Sequence, residues 1–166
     1  MNRIFLLFFP LIVLLSISCG IYTFSGSTLP PELKTLNILP FTNQTLEPNV
    51  AEQVTQRLSQ EILSTNLMRI VQDNGDASIA GRITSYTNTP YTFSTVATRQ
   101  VDVNQYIVRI STDISFTNNK KNEPIYKGMV TSEGIYNFGT ETESIGRERA
   151  IKQLIERILQ NSVQSW

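Results

Sequence analysis

Apolar residues in this chain run unbroken, recur every third or fourth position, or alternate, and each pattern marks a different element. From Ile4 to Leu15 the run is almost wholly apolar, between Met1-Asn2-Arg3 and Ser16-Ile17-Ser18-Cys19-Gly20. Ile21 and Thr23 alternate with Tyr22 and Phe24, a pattern able to add an edge strand before Pro30 and Pro31 stop regular structure. Thr35 to Phe41 reads as a strand, with Leu36, Ile38 and Pro40 on one face and Leu39 and Phe41 on the other. Val50, Val54, Leu58 and Ile62 then recur every four residues. Leu63 widens this stripe, and Glu52, Gln53, Arg57 and Glu61 fall opposite it. The spacing predicts an amphipathic helix opening at Pro48 or Asn49.

Extended structure resumes at Met68 to Val71 and Ala77 to Tyr86, with Asp73-Asn74-Gly75-Asp76 between them reading as a hairpin turn. Asn88 to Gln100 reads as a long loop. Val101 to Phe116 is a long strand. Tyr106, Val108, Ile110, Ile114 and Phe116 share one face, and Arg109, Ser111, Asp113 and Ser115 share the other. Asn118 to Asn122 is a polar hairpin tip, and Ile125 to Tyr136 returns as the partner strand. Ile151, Leu154, Ile155, Ile158, Leu159 and Val163 fit a final helix that begins at Thr142 or Ser144. Trp166 continues its apolar face, so the chain end is expected to fold back into the core.

This order predicts an α+β two-layer sandwich. Two amphipathic helices pack on one face of a mixed, mostly antiparallel sheet of about four strands. The first helix joins parallel strands by a crossover, and the later strands form hairpins. The second sheet face is left partly polar and open to a partner.

The N-terminal run is too short to span a bilayer, which takes roughly 20 residues. A basic start, an apolar stretch and small residues before a cleavage point describe a secretory signal over 1–18. Cys19 is the only cysteine and stands where that signal ends. An exported chain with one thiol has no internal disulfide to make, so acylation of Cys19 accounts for it. The segment resembles a bacterial lipobox, although Ser16 replaces the usual Leu three positions before the cysteine. Two or three acyl chains tether a protein effectively for good, since each buried methylene adds roughly 0.8 kcal/mol. Gly20 is not the Asp of an inner-membrane retention signal, so the expected site is the outer membrane, facing the periplasm. Residues 19–34 then form the lipidated start and tether, and 35–166 a single domain.

Composition narrows the function. The 14 basic and 14 acidic residues balance, and removing Arg3 with the signal leaves the mature chain near −1. Without a polybasic stretch, nucleic acid is not an expected partner. The chain has no histidine, so Ser-His and Cys-His nucleophilic sites and His-ligated zinc cannot be built. Acidic residues such as Asp73, Asp76, Glu141 and Glu143 are scattered, and Asp73 to Asp76 lacks the spacing of a calcium loop. No enzyme activity, metal or cofactor is expected.

Cys19-Gly20-Ile21-Tyr22-Thr23-Phe24-Ser25-Gly26, then Pro31-Glu32-Leu33-Lys34-Thr35-Leu36, resembles the start of the mature chain in the lipopolysaccharide-assembly lipoprotein family LptE. The likeness continues through the helix, Gly81-Arg82-Ile83-Thr84-Ser85-Tyr86, Pro90, and the closing helix ending in Trp166. The resemblance implies a protein that sits inside the LptD β-barrel translocon, assists its assembly and contacts lipopolysaccharide. It also implies two helices against a four-stranded sheet. It carries over no motif for the lipopolysaccharide contacts. Arg82, Arg99, Arg109 and Lys127 are candidates only as cations on predicted strand or loop surfaces, where solvated charges are also common. Leu36-Asn37-Ile38-Leu39-Pro40-Phe41-Thr42-Asn43 also looks like curli-export lipoproteins and outer-membrane activators of penicillin-binding proteins.

Overall fold

The structure is a computed structural model and describes residues 30, 32–95 and 101–163. The expected signal, Cys19, the Ile21–Phe24 alternation, Arg99 and Trp166 lie outside these residues. Among them the element order is β1 (Thr35–Ile38), β2 (Thr42–Asn43), α1 (Val50–Thr65), β3 (Arg69–Val71), β4 (Ala77–Thr95), β5 (Val101–Asn118), β6 (Glu123–Asn137) and α2 (Glu143–Val163).

The expected four-stranded, mostly antiparallel sheet is corrected. The sheet has six strands, ordered β3-β1-β4-β5-β6, with β2 also on β4. It is mixed: β1 pairs parallel with β3 and β4, and β2 parallel with β4. Only β4-β5-β6 is antiparallel. β1 and β3 fall within stretches expected to be extended; the unforeseen strand is β2, whose two residues are too few to show alternation.

The strand expected over Thr35 to Phe41 is broken, because Pro40 has no N–H to give the ladder. Leu39 N still donates to Ile79 O at 2.9 Å, and Gln44 N to Ile83 O at 3.0 Å. At the break Phe41 N turns to Thr55 Oγ1 on α1 at 3.1 Å, and the Phe41 ring is buried. The hairpin expected at Asp73 to Asp76 is also corrected. β3 and β4 are not neighbours, since β1 lies between them. The segment is a step across β1, and Gly75 makes it possible. A Cβ there would lie 2.7 Å from Asn37 N, too close for any side chain. Asp76 secures the step: its Oδ2 accepts the backbone N–H of Lys34 at 2.8 Å and of Thr35 at 2.9 Å. Lys120 Nζ stands 2.9 Å from its other oxygen. These contacts, Lys120 foremost, hold its carboxyl well below the usual range.

The long loop expected over Asn88 to Gln100 is in fact strand as far as Thr95. Thr, Tyr and Phe favour extended backbone, and Pro90 is tolerated because β4 is an edge there. Irregular pairing at Ile83/Ser85 and at Pro90 to Phe93 interrupts its register with β5.

Both helices pack on one sheet face, as expected. Val50, Ala51, Val54, Leu58 and Ile62 of α1 are buried, and so are Ile151, Leu154, Ile155 and Ile158 of α2. They share one core with Ile79, Ile83, Val108, Ile110, Ile114 and Val130 of the sheet. Each such side chain contributes about 1.5–3 kcal/mol on burial. Leu63, expected to widen the α1 stripe, is instead exposed. Ala51, beside Val50, is buried instead.

Candidate functional site

The sheet face away from the helices carries the candidate site. On β5, alternation sends Val108, Ile110, Ile114 and Phe116 into the core and leaves Arg109, Ser111, Asp113 and Ser115 outside. Its neighbours in register place Arg82 of β4 and Met129 of β6 on either side of Asp113. Lys127 pairs with Ser115 one step along. A shallow groove of about 640 Å³ runs here, lined by Leu39, Pro40, Arg82, Asp113, Lys127 and Met129 among others. Met129 of β6 is 67% exposed and Leu39, just past β1, 43%.

The groove brings together two of the sequence-predicted cations, Arg82 and Lys127. Arg82 donates to Asp113 Oδ2 at 3.0 Å, so its charge is already matched. Lys127 has no ion pair among the described residues. Arg109 lies further along the same face and donates to Glu133 Oε1 at 2.7 Å. It does not line the groove, and Arg99 lies outside the described residues. An exposed ammonium between apolar walls suits an amphiphile with an anionic head.

The edge beside this face is closed by α2. Gln153 Oε1 accepts Glu133 N at 2.7 Å, Arg149 Nη1 donates to Ile135 O at 2.6 Å, and Arg157 Nη1 donates to Thr131 O. Three side chains at helical spacing thus occupy backbone groups of β6 that another strand would take. The helix lies this close because Gly134 has no side chain. A Cβ there would meet Gly146 O at 1.9 Å.

Glu141 fastens the same corner. It accepts Asn137 N at 2.8 Å and both Arg149 terminal nitrogens, at 3.0 and 2.6 Å. Arg149 above all, then the Asn137 N–H, lowers its pKa from 4.5 to about 2. A depressed carboxylate stabilises the fold above its unfolded pKa, and that contribution is lost as pH falls through the folded one. Stability is therefore expected to decline between about pH 4.5 and pH 2 more steeply in wild type than in Glu141→Gln. Urea midpoints across that range check it; parallel pH profiles would refute the assignment. At the start of α2, Tyr86 donates to Glu143 Oε1 at 2.7 Å. Burial, then Glu143, pushes the Tyr86 hydroxyl above its ordinary value.

A family model described as LptE, lipopolysaccharide-assembly, matches residues 33–163, most of the chain. The chain belongs to the LptE family. Two solved structures show the same fold at low identity, and a third is a weaker match. The hypothetical protein CT253 from Chlamydia trachomatis is 8% identical at a TM-score of 0.55, over 78% of this chain and 98% of that one. Protein XCC0632 from Xanthomonas campestris is 9% identical at 0.54, over 78% and 86%. The rare lipoprotein B from Shewanella oneidensis is 18% identical at 0.47, over 76% and 92%. No curated protein matches the sequence.

For this LptE protein, sequence reasoning found the polar sheet face but missed the groove's apolar walls and the sealed edge. Arg149, Gln153 and Arg157 do recur every four residues beside the apolar stripe. That signal was readable, but its target strand was not.

Proposed function

We propose that this LptE protein is an outer-membrane lipoprotein, anchored by acyl chains on Cys19, that occupies the lumen of an LptD-type β-barrel. There it assists barrel assembly and takes part in delivering lipopolysaccharide to the cell surface. It acts by binding, with no catalytic centre and no cofactor. The family match over residues 33–163 carries the reading. The open sheet face supports it. Barrel interiors are polar, and this face offers Ser111, Asp113, Ser115, Thr131 and Glu133 opposite the buried core. A plug of this kind needs hydrogen-bonding surface more than net charge, and the mature chain is nearly neutral. Within the groove, Lys127 faces the anionic head of lipopolysaccharide, and Leu39 and Met129 its apolar parts. Arg82, Arg109 and Arg99 are further candidate contacts.

Purification of the lipidated protein in detergent tests this. A large β-barrel at a one-to-one ratio is expected. Depletion is expected to lower both assembled barrel and surface lipopolysaccharide. A homo-oligomeric ring would favour the curli-export type. A bound peptidoglycan synthase, with unchanged surface lipopolysaccharide on depletion, would favour the activator type. Either result overturns the proposal.

A further inference from the structure

While α2 seals the β6 edge, β4 loses its neighbour on the other side after Ile83. β2 pairs with Arg82 and Ile83, Gln44 N donates to Ile83 O at 3.0 Å, and no described strand follows. Hydrogen-bonded and open pairs alternate along an antiparallel ladder. Ile83, whose carbonyl turns outward to Gln44, stands opposite Thr112 of β5. Tyr86, Asn88 and Pro90 stand opposite Ile110, Val108 and Tyr106, in step with it, so their backbone groups also turn outward. Pro90, with no N–H, sits where β5 requires none. Thr84 to Thr95 contains no charged residue, a usual guard of exposed edges. Apart from the bulge at Thr84, proline and irregular pairing guard this edge only from Pro90 onward. At its foot lies a groove of about 400 Å³, lined by Gln44, Thr45, Leu46, Glu47, Thr84 and Tyr86 among others. Asn43 builds the groove's wall: its side chain accepts Thr45 N at 2.9 Å and donates to Glu47 O at 2.7 Å. That turn holds Leu46 fully exposed.

We propose that Ser85 to Pro90 takes an added strand, an extended uncharged segment of the barrel partner with an apolar side chain against Leu46. The inference rests on the function proposed above. Strand addition draws affinity from main-chain hydrogen bonds and selectivity from alternate side chains. A closed barrel wall has no free edge, so the segment comes from a loop or from chain outside the wall. This chain's own Ile21–Phe24 does not reach the edge. β1 starts beside Ala77, so Pro30 lies at that end of β4, and Tyr86 is about 30 Å further along. Between Phe24 and Pro30 there is at most about 22 Å of chain. Residues 96–100 join the paired ends Thr95 and Val101, well past Pro90. Residues 164–166 follow the opposite end of α2, whose start touches Tyr86. A second copy of this chain fits poorly. Antiparallel pairing with its Ser85–Pro90 stretch would drive its Tyr91–Thr95 into Thr42–Gln44, which already fill the slot beside β4.

Amide-resolved hydrogen exchange on the lipidated protein, alone and co-purified with the barrel in detergent, tests the assignment. Alone, Tyr86 and Asn88 are expected to exchange faster than Thr87 and Thr89, whose backbone groups turn to β5. In the complex, Tyr86 and Asn88 are expected to slow at least about tenfold. Asn88→Pro deletes one outward N–H at an edge position, where proline is tolerated, and is expected to weaken barrel binding roughly tenfold. Asn88→Ala, which keeps the N–H, is expected to lose less. Slow exchange of Tyr86 and Asn88 in the dilute protein alone overturns the open edge. Protection that appears on self-association overturns the chosen partner. A co-purified barrel without protection, or equal loss in the two variants, overturns the added strand and leaves the function standing. Without a co-purifying barrel the function fails, and this inference with it.

Discussion

Leu154→Asp is expected to lose at least about 4 kcal/mol of stability, enough to unfold much of a marginally stable domain. Leu154 is fully buried in the middle of α2, in the same core as Val108 and Ile110. Its exchange for Asp removes the transfer energy of a leucine and puts an unpaired carboxylate where water cannot reach it. The chain would protonate the group or unfold, and both cost. Leu154→Ala, which only opens a cavity, is expected to cost about 2–5 kcal/mol. Glu156→Gln, an exposed change on the same helix, is expected to stay within about 0.5 kcal/mol. Urea unfolding followed by far-UV circular dichroism orders the three. A Leu154→Asp protein melting within a degree of wild type would remove α2 from the core.

Cys19→Ala is expected to abolish acylation and the anchoring it gives. The chain has no second cysteine to acylate, and no described helix is long and apolar enough to cross a membrane. Acyl chains supply roughly 0.8 kcal/mol per buried methylene, and the variant loses that contribution. The variant is expected as unprocessed or mislocalised precursor, with no label from radioactive palmitate. Membrane fractionation and palmitate labelling decide it. A processed, membrane-bound Cys19→Ala protein without label would remove the lipid anchor from the proposal.

Long elements are legible in this sequence because their periods repeat. Val50, Val54, Leu58 and Ile62 trace a helix without any neighbour, and the α2 stripe does the same. Alternation over β5 and β6 fixes which residues face inward, because period two leaves no choice of face. Short elements do not repeat. Thr42–Asn43 becomes a strand only because β4 stands beside it, and Arg69–Val71, extended as expected, takes its partner from β1 and not from β4. The Asn88 stretch looked like loop because Pro90 and scattered polar residues interrupt its alternation, yet β5 supplies a full partner to hold it extended.

The candidate site divides along the same line. From sequence alone come the anchor expected at Cys19, two helices on one face and a polar face left over. The missing histidine likewise rules out His-based chemistry, since composition survives any folding. Which cations meet, and which are neutralised, belongs to tertiary structure. Arg82 and Asp113 lie 31 residues apart in sequence and 3.0 Å apart in space. Their encounter follows from β4–β5 register, and a slip of β4 by one residue would send Arg82 to the core face and leave Asp113 without it. The sealed β6 edge likewise needs α2 pressed against Gly134, a contact set by packing between elements far apart in the chain. Local periodicity is written in neighbouring residues and can be read there. Pairing partners are chosen by long-range backbone hydrogen bonds and burial, and no single segment records that choice.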